Sequence, residues 1–228
     1  MKIIFGTTSY RKISDLQNVI NELGLDYTVI GLNNLKGWQG EIEEYGNTIE
    51  ENSQIKAEAI REFCEANDIN LPIITDDAGL FVEVLGDEPG VKTSRYADDE
   101  RAANPYLPDY QCVYKLLDKI RYEYNRSATY KCCVTCILPN EEPFQIKGES
   151  EGFIAFKPIG KMKKPYFYSV FILENTNKPF SELNEEELKE TYRYKAMRET
   201  LKELNHRLEN TKSPCLTLKR NMERTIKW

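Results

Sequence analysis

Apolar and polar positions change rhythm several times along the chain, and each change marks an element. Lys2-Ile3-Ile4-Phe5 is a short apolar run broken by Gly6-Thr7-Thr8-Ser9, after which Leu16, Val19, Ile20 and Leu23 recur at helical spacing. The pattern predicts a strand, a tight loop and a helix. Tyr27 to Leu32 reads as a second strand, and the polar stretch through Tyr45-Gly46-Asn47 as a loop. Thr48 and Glu51 have capping-box spacing, so a long helix opens there, with Ile55, Ala59, Phe63 and Ala66 as its apolar stripe to about Asn67. The run from Leu71 to Thr75 enters Asp76-Asp77-Ala78-Gly79. This sets the acidic pair at a strand's C-terminal end, where open α/β sheets hold ligands.

Residues 80 to 108 carry Gly86, Pro89, Gly90, Pro105 and Pro108 and read as loop-rich, with a short strand from Leu80 to Val84. A helix is expected from Tyr110 to about Tyr124. Four strands follow, Ala128 to Leu138, Pro143 to Gly148, Gly152 to Phe156 and Phe167 to Leu173, then a last helix from about Asn184 to Leu208. Early alternation of strand and helix followed by clustered strands argues for an α/β fold of two lobes around a central sheet, with a cleft between them. Residues 1 to 208 form one domain in this reading. Residues 209 to 228, with Lys212, Lys219, Arg220, Arg224 and Lys227, are expected to be a loosely held basic tail.

With 228 residues, 40% of them hydrophobic and 30% charged, the chain can bury a core without disulfides or metal. Its 31 basic and 37 acidic residues leave a net charge of −6, which disfavours general nucleic-acid binding but leaves room for a small anion in a local basic cleft. No apolar run near the start approaches a secretory core or a membrane span, and the chain reads as cytoplasmic. The six cysteines, three of them at Cys132, Cys133 and Cys136 in a strand-like run, read as free, mostly buried thiols. A single histidine, His206 after a Lys- and Glu-rich helical stretch, excludes a three-His zinc site and leaves metal or base work to carboxylates.

Two segments carry candidate chemistry. Gly6 to Lys12, between strand and helix, offers backbone N–H groups, hydroxyls and a lysine at a helix N-terminus that attracts anions, although any such turn also favours Ser and Thr as caps. Glu50 and Glu51 are accounted for by the helix start. Asp76-Asp77 is harder to place, because adjacent carboxylates at the end of an apolar strand repel and lose hydration unless a cation joins them or they only shape a turn. A hard ion such as Mg²⁺, which takes one or two carboxylates plus phosphate oxygens, suits this inventory better than zinc.

The order Gly6-Thr7-Thr8-Ser9…Lys12, Thr48-Ile49-Glu50-Glu51-Asn52-Ser53…Lys56-Ala57, Thr75-Asp76-Asp77-Ala78-Gly79-Leu80 and Gly86…Pro89-Gly90-Val91…Ser94-Arg95-Tyr96-Ala97 resembles the inosine triphosphate pyrophosphatase family over about residues 1 to 206. The resemblance implies an α/β fold with an elongated central mixed sheet, flanked by helices, and an active-site cleft between two lobes. It implies Mg²⁺-dependent hydrolysis of non-canonical purine nucleoside triphosphates (ITP, dITP, XTP) to monophosphate and pyrophosphate by a homodimer. Carried onto matching positions, Thr7, Thr8, Ser9 and Lys12 would bind triphosphate, Glu51, Asp76 and Asp77 would hold the metal, and Asp77 would position or deprotonate the attacking water, with Lys56 beside it.

The base pocket departs from the family. Where the family has Gly-Phe-Gly-Tyr-Asp-Pro this chain has Pro165-Tyr166-Phe167-Tyr168-Ser169-Val170, and where it has Ser-His-Arg this chain has Thr191-Tyr192-Arg193. Tyr166 or Tyr168 would stack on the base. Ser169, Tyr192 and Arg193 would read its edge, with a phenol in place of an imidazole and an acidic acceptor lost. Lys189 is the nearest candidate for the family's phosphate lysine. These changes open two alternatives, a same-fold pyrophosphatase for pyrimidine or modified nucleotides, similar to the Maf proteins, and a nucleotide-binding protein with reduced turnover.

Overall fold

Three consecutive apolar residues suffice to start the sheet, because both faces of the first strand are covered. The computed structural model describes residues 1–225, with side chains to residue 210. In β1 (Lys2–Phe5), Ile3 and Phe5 pack on one face of the sheet and Ile4 on the other, all fully buried. Ser9 caps α1 (Tyr10–Glu22), whose Leu16, Val19 and Ile20 are buried against the Ile3 and Phe5 face. β2 (Thr28–Gly31) lies parallel to β1. α2 (Ile49–Ala66) opens on a reciprocal Thr48–Glu51 capping box and covers the opposite face through Ala57, Ile60 and Cys64.

β3 (Ile73–Val82) starts parallel to β1, pairing Ile4 with Ile73 and Phe5 with Ile74. After β4 (Pro89–Gly90), α3 (Asp98–Ala103) and α4 (Gln111–Lys119), β5 (Ser127–Ile137) runs antiparallel to β3 along its whole length. β6 (Phe144–Ile154), β7 (Phe171–Leu173) and β8 (Lys178–Pro179) extend the antiparallel side, followed by α5 (Glu185–Lys189) and α6 (Tyr192–Thr225). The sheet order is β2-β1-β3-β5-β6-β7-β8, with β4 on β3. A mixed sheet flanked by helices is the expected fold.

Several expectations change. The strand ending at Thr75 and the one beginning at Leu80 are a single β3, so the acidic pair lies mid-strand; charge does not end the strand because each carboxylate meets a cation there. The strands divided at Gly148 to Gly152 are likewise one β6. A Cβ at Gly148 would collide with the Tyr192 carbonyl, and one at Gly152 with that of Ile172. Both glycines mark close backbone approach rather than turns. The stripe Ile55, Ala59, Phe63, Ala66 is not the core face of α2: Asn52, Ser53, Lys56, Ala57, Ile60 and Cys64 are, since the first half of that face borders polar chemistry. The helix expected from Tyr110 to Tyr124 is the shorter α4. The strand expected to start at Phe167 begins at Phe171, after a 3-10 turn from Tyr166 to Ser169. The last helix is two, with Asn184 capping α5. Beyond Asn210 the side chains of the expected basic tail, and all of residues 226–228, lie outside the described residues. Cys64, Cys112, Cys132, Cys133 and Cys136 are free and buried. Among the described residues no helix is long and apolar enough to cross a membrane.

Candidate active site

The site follows from a mismatch in strand length. β1 stops at Phe5, opposite Ile74, and β4 pairs only from Leu80, so from Thr75 to Gly79 β3 has β5 on one edge and no strand on the other. A cleft of about 440 Å³ opens at this gap, lined by Ser9, Arg11 and Lys12 from the start of α1, Lys56 from α2, Asp77 from β3, and Thr93 and Ser94 from the loop after β4. A larger hollow, about 720 Å³, lies on the far side of α2 among Trp38, Glu41, Glu43, Glu58 and Glu62. Its lining holds no basic residue and would repel phosphate, so the cleft at the gap is the candidate.

Successive strand residues face opposite sides of a sheet, so Asp76 and Asp77 do not share an environment. Asp76, 2% exposed, sides with Ile74 toward α1 and α6; Lys12 Nζ donates to its Oδ1 at 3.0 Å and its Oδ2 at 3.1 Å, and the Arg193 guanidinium donates to Oδ2. Burial alone would raise the Asp76 pKa, but Arg193, Lys12 and Lys56 outweigh it and hold the carboxyl well below the usual range. Burial also lowers the Lys12 pKa, helped by the positive charges of Arg193 and Lys56 and opposed by Asp76.

Asp77 sides with Thr75 toward α2. Lys56 Nζ donates to its Oδ1 at 3.2 Å and Asn52 Nδ2 to its Oδ2 at 3.3 Å. The same ammonium donates to Glu44 Oε1 at 3.0 Å, and the other Glu44 oxygen lies 3.5 Å from Arg95. One lysine therefore serves two carboxylates. Burial, followed by the charges of Glu44 and Asp76, raises the Asp77 pKa against the pull of Lys56. For Lys56 the carboxylates of Asp77, Asp76 and Glu44 outweigh burial, and its pKa rises.

The backing of this face is fully hydrogen-bonded. Ser53 Oγ receives the Thr135 hydroxyl at 2.8 Å and backbone N–H at 3.1 Å, and the Thr75 hydroxyl donates to the Ser53 carbonyl at 2.6 Å. These bonds lock α2 to β3 and β5. Asn52 accepts from the Gly46 N–H at 2.8 Å, which leaves its amide hydrogens to Asp77.

Beyond the acids the cleft turns aromatic. Tyr130 stacks with Tyr192 at 5.0 Å and with Phe180 at 5.5 Å, and the hydroxyls of Tyr168 and Tyr192 meet at 2.8 Å. Tyr192 is held by its N–H donating to Ser150 Oγ at 2.8 Å, next to the close approach at Gly148.

Of the sequence candidates, Ser9, Lys12, Lys56, Asp77, Tyr166, Tyr192 and Arg193 line the cleft, with Asp76 directly behind Lys12 and Arg193. Thr7 and Thr8 do not: the Thr7 hydroxyl accepts the Ser9 N–H at 3.1 Å, and the Thr8 carbonyl accepts from Asn33 at 2.9 Å. Ser169, 1% exposed, donates to the Tyr166 carbonyl at 2.8 Å and closes the 3-10 turn. Tyr168 stands behind Tyr192. Lys189 ends α5 and pairs with Glu186 at 2.7 Å on the surface, away from the cleft. Glu51 does not join the aspartates, because its Oε2 accepts from the N–H groups of Asn47 at 2.6 Å and Thr48 at 3.3 Å in the capping box. Among the described residues no group of three or more His, Cys, Asp or Glu gathers to hold a metal. Sequence reasoning missed Glu44, Asn52 and Tyr130. Asn52 sits in the quoted helix motif and one turn before Lys56, a spacing that could have found it.

A family model described as the Ham1 family matches residues 3–203. The dITP/XTP pyrophosphatase of Bacillus subtilis (strain 168) is 32% identical over 186 residues, 81% of this chain and 86% of that protein. The dITP/XTP pyrophosphatase of Thermoanaerobacter pseudethanolicus is 35% identical over 187 residues, covering 82% of this chain and 87% of its own. The solved Staphylococcus aureus Ham1 protein superposes with a TM-score of 0.73 at 28% identity, covering 90% of this chain and 98% of that one. These matches bear out the resemblance carried by the four motifs.

Proposed function

The chain belongs to the Ham1 family, and from that premise we propose that it hydrolyses the non-canonical purine nucleoside triphosphates dITP, ITP and XTP to the monophosphate and pyrophosphate. The observation that carries this reading is the convergence of Lys12, Lys56 and Arg193 on one cleft around Asp77, a carboxyl raised above its ordinary pKa. Lys12 and Lys56 offset the charge of a triphosphate and of the transition state, and Arg193 belongs to the base end of the same cleft. Lys12 and Arg193 are held in place by Asp76, so they need no reorganisation when the nucleotide arrives. Asp77 accepts the proton of the attacking water, and its raised pKa makes it a better base than a solvated carboxylate. Asn52 donates to Asp77 Oδ2 and Lys56 to Oδ1, and together they orient the carboxylate.

A divalent cation, Mg²⁺ in this proposal, fits the donor set. Glu44 and Asp77 converge from different elements on one ammonium, Lys56 Nζ, at 3.0 and 3.2 Å. Two carboxylates rather than three match an ion that keeps several waters and takes phosphate oxygens for the rest. Glu44 and Asp77 would hold it, in place of the Glu51 set, and when bound it would lower the pKa of water and offset phosphate charge. Homodimer assembly and a cytoplasmic location belong to the same proposal, the first resting on the resemblance and the second on the sequence pattern.

The test is pyrophosphate release from ITP, dITP, XTP, dUTP, GTP and ATP with Mg²⁺. Turnover of the first three above the rest is expected. A preference for dUTP would favour the pyrimidine alternative, and tight binding without product the reduced-turnover one.

A further inference from the structure

Among the described residues, two buried side-chain polar atoms have no hydrogen-bond partner, the Tyr130 hydroxyl and Arg193 Nε, and both side chains line the cleft. Tyr130 is 3% exposed. Its ring stacks on Tyr192 and Phe180 and takes Tyr168 edge-on at 5.6 Å and Phe171 at 4.9 Å, so it cannot swing to find a partner. A buried phenol left so is less stable than a phenylalanine packed in the same place. A hydroxyl kept under that cost is accounted for by a partner that arrives from the cleft.

The surrounding groups define what that partner must offer. One of the Tyr168 and Tyr192 hydroxyls donates to the other at 2.8 Å, which fixes the two rings against each other. Arg193 Nε can only donate. The carboxylates of Asp109 and Asp98, which also line the cleft, are exposed and pair with Arg101, at 2.7 Å and 3.8 Å. Two buried donors on residues that line the cleft are thus left without a partner, and a ligand group that pairs them must be an acceptor.

We propose that the Tyr130 hydroxyl is a specificity-determining group for the base, donating a hydrogen bond to the carbonyl oxygen of a 6-oxopurine. An exocyclic amino group in that position would set hydrogens against the donor-only Arg193 Nε and leave both buried groups unpaired, which disfavours 6-aminopurines. This inference rests on the cleft being a nucleoside triphosphate site.

The experiment compares wild type with Tyr130→Phe, measuring kcat/KM for ITP and for ATP and the thermal midpoint of each protein. The loss of one hydrogen bond lowers kcat/KM for ITP by about threefold to tenfold. ATP turnover stays unchanged, so the ITP-to-ATP ratio shrinks, and the midpoint does not fall. A ratio identical in the two proteins overturns the inference, and an unchanged ratio with a lower midpoint overturns it by assigning the hydroxyl to structure. Calorimetric titration of IMP against AMP reads the same ratio without turnover. Wild-type protein that cleaves no triphosphate refutes the proposed activity itself, whereas wild-type selectivity that survives Tyr130→Phe refutes this inference alone.

Discussion

Asp76 and Asp77 are the same residue at consecutive positions of one strand, yet the two faces of β3 give them opposite work. On the α1 and α6 face, one carboxylate meets two cations and is held well below its ordinary pKa. On the α2 face, one lysine is shared between Asp77 and Glu44, and burial leaves Asp77 above its ordinary pKa. In the proposed mechanism Asp76 is the anchor and Asp77 the base. What differs is the ratio of charges on each face, and the strand's two-residue period separates them.

The largest effect expected from this contrast is on turnover. Asp77→Asn should lower kcat for ITP by about 10²- to 10⁴-fold, the usual contribution of a positioned base, with the thermal midpoint retained. The contrast breaks if Asp76→Asn does the same with the fold intact. Instead, Asp76→Asn should cost about 3–5 kcal/mol in denaturant unfolding, because it leaves the buried Arg193 without its anion. Equal stability of mutant and wild type would show that the anchor is not one.

The two faces should also separate with pH. The folded Asp76 pKa lies below its unfolded value, so its contribution to stability is present above the ordinary carboxylate range and is lost as pH falls through that range toward the folded value. Unfolding free energy measured from neutral to acidic pH checks this, and Asp76→Asn should flatten the fall. The Asp77 pKa is raised, so in the metal-free protein its carboxyl should titrate above the ordinary carboxylate range rather than within it. The smallest effect sharpens the contrast by removing a third carboxylate from it. Glu51→Ala should cost about 0.5–2 kcal/mol of stability as a lost cap and leave turnover at the wild-type level.

Much of this was legible in the sequence where local chemistry decides. The Thr48–Glu51 box, the β1 run and the loop before α1 were read from spacing, and Lys12, Lys56, Asp77 and Arg193 from motifs. The rest depended on tertiary contact. β3 continues through two charges because partners from α1, α2 and α6 supply cations. β6 continues through Gly148 and Gly152 because other backbones press against them. The core face of α2 was misread because Asn52, Ser53 and Lys56 are polar and buried only by virtue of the site they face. Glu44 lies in a loop with no periodicity, and nothing local marks it. Ser169, which stands where the family has an aspartate, and Lys189, the nearest candidate for its lysine, turn here to a local carbonyl and a surface glutamate.

The division of labour is tested most directly by titrating the two carboxyl carbons by NMR in the metal-free protein, with Asp76→Asn and Asp77→Asn for assignment. The expected result is Asp76 titrating well below the ordinary carboxylate range and Asp77 above it. Two coincident titrations, or the reverse order, would contradict the account.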